Sequence, residues 1–74
     1  MVTTALVYLK SNECGRVREI SGGCKAKKRL YELGLYKNAC VKVEKNDFGP
    51  LILNLSGNKL ALGRGLASYV IVER

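Results

Sequence analysis

Histidine is absent from the 74 residues, and acidic side chains number only 6 against 13 Lys and Arg. Without imidazole the chain lacks the commonest metal ligand and the commonest general base. Its cysteines, Cys14, Cys24 and Cys40, are an odd number at spacings that match no zinc motif. In a reducing compartment they read as free thiols serving as small apolar residues. No apolar run approaches the ~18 residues that a membrane-crossing helix needs. Met1-Val2-Thr3-Thr4 places no positive charge ahead of its apolar stretch, and Lys10 cuts that stretch short, which argues against a signal peptide. A cytoplasmic protein is expected. Repeats, linkers and low-complexity tracts are missing too, so residues 1–74 are expected to form one domain.

Catalytic constellations are equally scarce. The carboxylates Glu13, Glu19, Glu32, Glu44, Asp47 and Glu73 alternate with cations and read as surface charge. No acid–base pair, triad or metal cluster emerges, so no enzyme, no catalytic residue, no metal site and no cofactor are expected. Cys24 sits among lysines but has no base to activate it, and reads as structural. Ser21-Gly22-Gly23-Cys24-Lys25 lacks the spacing of a phosphate-binding loop, and its glycines read as a turn.

What is present is a hydrophobic fraction of 47%, that of a folded protein, and a formal charge of +7. A chain this short buries only about 60% of its unfolded surface, so its net stability is expected to be a few kcal/mol. The positive balance favours an acidic partner: nucleic acid, anionic lipid headgroups or an acidic protein face. The charge is spread along the chain and therefore decorates a folded surface.

Periodicity divides the chain. Leu6 and Leu9 are spaced as in a helical turn, and Gly15 to Ile20 reads as a strand ending at a glycine turn. From Cys24 to Leu33, Ala26, Leu30 and Leu33 form one apolar stripe, with Lys25, Lys27, Lys28 and Arg29 around it. Lys28 and Glu32 are spaced as an i,i+4 pair, and Gly34 ends this helix. Val41 and Val43 then alternate with Lys42 and Glu44, as in a half-buried strand. Asn46-Asp47-Phe48-Gly49-Pro50 is a turn before Leu51, Leu53 and Leu55, and Ser56-Gly57-Asn58 turns the chain into Leu60-Ala61-Leu62. Gly63 to Ala67 reads as a loop or single helical turn, and Tyr69 to Val72 as a last strand. Tyr8 and Tyr69 are expected to pack in the core or at its rim. The count is five strands and one helix, mainly β, which suits a small, partly open barrel.

These residues resemble a known family. Ile20-Ser21-Gly22-Gly23 followed by Lys28-Arg29-Leu30-Tyr31-Glu32-Leu33-Gly34-Leu35 is similar to the FeoA pattern of a strand, a glycine turn, a basic helix and an ELGL motif. The second half matches in order as well, with Gly49-Pro50 before an apolar strand, then Leu60-Ala61-Leu62 and a final strand. The resemblance runs from about Leu6 to Val72. It implies a five-stranded SH3-like barrel with one α-helix after the first strand. It also implies a regulatory or accessory role in ferrous iron uptake, beside the cytosolic part of an FeoB-type membrane transporter. Related domains end metal-dependent repressors, but no winged-helix segment accompanies this one. Where the family has Pro-Gly, this chain has Tyr36-Lys37-Asn38, and Asn38 is able to supply the left-handed turn residue.

Lys25, Lys28, Arg29, Tyr31 and Tyr36 are the candidate partner-binding residues. Arg and Tyr dominate interface energetics, and lysines steer association. A solvated basic helix face is the plain alternative for the cations. An anionic membrane surface is a further acidic partner that the charge would suit. Nucleic acid is disfavoured, because the strands offer few exposed aromatics for base stacking. A small basic nucleic-acid-binding module is nevertheless the alternative function.

Overall fold

Period-2 alternation becomes strand along most of the chain, and the 3.6-residue stripe becomes the one long helix. The computed structural model describes residues 2–74. In order they form β1 (Thr3–Ala5), a 3-10 turn (Leu6–Tyr8), β2 (Cys14–Ile20), α1 (Cys24–Glu32), β3 (Cys40–Lys45), β4 (Leu51–Leu55), β5 (Asn58–Leu62), α2 (Arg64–Ala67) and β6 (Val70–Glu73). All pairings are antiparallel, in the order β1-β6-β2-β3-β4-β5. The fold is mainly β and SH3-like. The sheet curls around its apolar face, helped by register shifts at Val17/Glu19 in β2 and Val43/Lys45 in β3. Extra residues at such points bend a strand and increase its twist.

One face of each long strand supplies the core: Val17 from β2, Val41 and Val43 from β3, Leu51 and Leu53 from β4, Val70 and Val72 from β6. Leu6 and Leu9, with Leu30 of α1 and Leu35 just after it, complete this core. Each such side chain contributes about 1.5–3 kcal/mol by leaving water. Leu33 caps α1 rather than extending it, and Gly34 takes φ +94° to end it.

Several expectations are corrected. There are six strands, not five: Thr3–Ala5 pairs with β6 through Thr3↔Glu73, Thr4↔Val72 and Ala5↔Ile71. Three residues are too few to show a period, and this strand forms because β6 offers a free edge. The helix consequently follows the second strand. The three cysteines are exposed rather than acting as apolar filler. Cys14 and Cys40 have opposite parity to Val17 and Val41, which face inward, and Cys24 is the first residue of α1. Tyr8 is 74% exposed, because Leu6 and Leu9 use the buried side of the 3-10 turn. Lys28–Glu32 is not among the ion pairs of the described residues, which are Arg18–Glu73, Lys45–Asp47 and Arg74–Glu13.

Asn46 clasps three segments together, and no sequence pattern marks it. Its Nδ2 donates to the carbonyl oxygens of Val7 (3.0 Å) and Leu9 (2.5 Å), and its Oδ1 accepts from Arg64 Nη2 (2.7 Å). Arg64 also donates to the Asp47 carbonyl, so Gly63-Arg64-Gly65 is a structural tie at the start of α2.

Candidate functional site

An open groove lies between α1 and the sheet. Helix α1 contributes Lys27 and Tyr31, one turn apart on the side that overhangs β2. The turn after the helix contributes Tyr36, Lys37 and Asn38, with buried Leu35 beneath them. That turn closes without Pro-Gly. Asn38 takes φ +74°, the Ala39 N–H donates to the Tyr36 carbonyl at 2.9 Å, and the Asn38 N–H donates to Val17 of β2 at 2.7 Å. Asn is among the few residues that adopt this conformation at low cost. The opposite wall is Arg18, Glu19 and Ile20 of β2 with Glu73 of β6.

Tyr31 and Tyr36 form an aromatic pair with ring centroids 5.6 Å apart and planes tilted by 48°. Such a tilted contact is worth roughly 0.5–1.5 kcal/mol beyond the buried area. Both rings stay largely in water, at 68% and 49% exposure. Arg18 is paired within that wall with Glu73 at 3.0 Å, which leaves Lys27 and Lys37 as cations without an ion pair among the described residues. The groove therefore offers two aromatic faces, an apolar floor and unneutralised positive charge. Its lining contains no Ser, Thr, Cys or His. Among the described residues, no three His, Cys, Asp or Glu stand together as metal ligands.

The structure brings Tyr31 and Tyr36 together in the groove, and of the sequence candidates only these two line it. Lys25, Lys28 and Arg29 are exposed on α1 but do not line the groove. Residues two apart on a helix point to nearly opposite sides, so Arg29 and Tyr31 do not share a face. Arg29 instead lies in the last turn, where a cation suits the negative end of the helix dipole. Lys27, Lys37, Arg18 and Ile20 also line the groove, although they are not among the sequence candidates. The i,i+4 spacing of Lys27 and Tyr31 was available as a signal. Nothing in the sequence places β2 beside them.

The FeoA domain model matches residues 4–74. The chain is 38% identical over 68 residues to the Fe(2+) transport protein A of Methanocaldococcus jannaschii, covering 92% of this chain and 83% of that one. It superposes on the crystal structure of an iron uptake regulatory protein, FeoA, with a TM-score of 0.92 at 32% identity, over 99% of this chain and 97% of the other. A manganese-dependent transcriptional repressor shares the fold, with a TM-score of 0.90 at 18% identity, over 99% of this chain and 37% of the repressor. With a family match over nearly its whole length, the chain belongs to the FeoA domain family, whose members are implicated in ferrous iron transport.

Proposed function

We propose that this chain is an accessory protein of ferrous iron uptake that acts from the cytoplasmic side, docking its α1–β2 groove on the cytosolic part of an FeoB-type transporter. The exposed Tyr31–Tyr36 pair above an apolar floor carries this reading. Two large aromatic side chains held together in water have a burial gain that only a partner realises, and Tyr is enriched at interface hot spots. Lys27 and Lys37 favour an acidic contact on that partner, while Lys25, Lys28 and Arg29 extend the positive field around the groove. Function then lies in differential affinity for conformations of the partner, which shifts their populations without chemistry by this chain.

The test is a titration of wild type, Tyr31→Ala and Tyr36→Ala against the cytosolic domain of an FeoB protein, with circular dichroism as the folding control. Each tyrosine truncation should cost ~2 kcal/mol, about 30-fold in Kd, mainly through faster dissociation. Lys28→Glu should instead slow association at low salt and matter little at high salt. Equal affinity of wild type and both tyrosine variants would remove the groove from the interface. Absence of wild-type binding, together with tight and steeply salt-dependent binding to DNA, would favour the nucleic-acid-binding alternative.

A further inference from the structure

Strand parity gathers two of the three thiols on one patch of the outer sheet face. In the β2–β3 register Cys14 stands opposite Lys42, and Arg16 opposite Cys40. Residues opposite one another project to the same side, as do residues two apart on a strand, so all four share a face. All four are exposed, whereas Val17, Val41 and Val43 fill the core beneath. Cys14 and Cys40 are thus diagonal neighbours, with Cα atoms about 7–8 Å apart and Cβ atoms somewhat closer. A disulfide is disfavoured at that span, because bridged cysteines keep their Cα atoms within about 7 Å. A metal ion between the sulfurs fits better. With metal–sulfur bonds of about 2.3 Å, a linear S–M–S unit spans roughly 4.6 Å, which two short side chains can close from this separation.

We propose that Cys14 and Cys40 form a two-coordinate site for a soft monovalent cation, Cu(I) being the chemical type. Donor number and donor softness set the class. A structural Zn(II) site takes four ligands, and Arg16 and Lys42 supply no further ones, whereas thiolate pairs select Cu(I). On binding, each thiol releases its proton to solvent and each sulfur gives an electron pair to the metal. No electron is transferred, and the two thiolates with one monovalent cation leave a complex of net charge −1. Arg16 and Lys42 flank that charge diagonally, and neither has an ion pair among the described residues. Glu73 of β6, which faces Arg16 across the β2–β6 pairing, is engaged by Arg18 instead. The patch adjoins the docking groove at Glu73, but no cysteine lines that groove, so the two are tested by different residues.

Cys24 on α1 is a third exposed thiol away from this patch and serves as the internal control. The experiment titrates Cu(I) anaerobically into the reduced full chain against a chromogenic Cu(I) chelator, with stoichiometry read by native mass spectrometry. One Cu(I) per monomer is expected. C14S and C40S should each weaken binding by about 100-fold or more, because the second sulfur binds intramolecularly, while C24S should stay within about 2-fold of wild type. Circular dichroism checks the folding of each variant. A second measurement needs no variant at Cys14 or Cys40: an aryl arsenoxide, which condenses with two adjacent thiols and releases water, should add once to C24S. Wild-type affinity no higher than that of C14S, equal loss in C24S, a complex of two chains per Cu(I), or failure of the arsenoxide to add would each overturn the site.

Discussion

Gly22 takes φ +94°, and a Cβ built on it would lie 3.1 Å from the Tyr69 ring. Backbone and side chain thus agree at one residue: the turn between β2 and α1 needs a left-handed conformation where an aromatic ring closes over the chain. The Tyr69 carbonyl fixes the same turn, accepting from the Ser21 N–H at 2.7 Å and its hydroxyl at 3.2 Å. Gly22→Ala should therefore destabilise the protein by about 1–3 kcal/mol, read as a lower urea midpoint at unchanged slope. An unchanged midpoint would mean that the turn relaxes freely. At this scale the sequence was legible where a residue type has few uses. The Gly22 turn, the left-handed Asn38 and the core positions Val41 and Val43 all followed from residue chemistry. Outward-facing cysteines and the exposed Tyr8 did not, because orientation depends on neighbouring strands and not on residue type.

Helix α1 is stable despite its own N-terminus. Gly23 is its N-cap with no side-chain cap, its first turn carries no acid, and Lys25 lies close to the positive end of the dipole. Burial of Leu30 and closure by Gly34 hold the element where local signals are weak. Gly23 has the extended conformation that a capping residue needs (φ −82°, ψ 176°), and an added Cβ would meet nothing within 4 Å. Gly23→Asp should accordingly stabilise the protein by about 0.5–1 kcal/mol, through the cap and the dipole together, seen as a higher Tm that salt partly reduces. A lower Tm would show that the uncapped end is already satisfied. Elements with a clear period were legible: α1, β3 and the β4–β5 hairpin, whose Ser56 and Gly57 both take positive φ as its two-residue turn requires. Thr3–Ala5 was not, since a three-residue edge strand owes its existence to its partner.

At the scale of the whole molecule, the two halves of the α1–β2 groove were unequally readable. The basic helix and the tyrosines stand within a dozen residues of one another, and their chemistry shows in the sequence. Arg18, Ile20 and Glu73 join them only because β2 lies between β6 and β3, an arrangement set by long-range pairing. Asn46 is the same kind of feature, and its clasp bears on how the molecule opens. Its side chain links the 3-10 turn, the β3–β4 loop and the start of α2, none of which belongs to the central ladder of β6, β2 and β3. Each hydrogen bond contributes about 0.5–1.5 kcal/mol, so three of them can make these segments protect one another from exchange with solvent. In Asn46→Ala the amides of Leu9, Ala67 and Ser68, which bond only within their own turns, should exchange at least about 10-fold faster relative to those of β2 and β3. Acceleration by one common factor at every amide would mean that the protein opens only as a whole. The selective pattern would mean that one amide side chain separates a cooperative barrel from a clasp able to breathe alone.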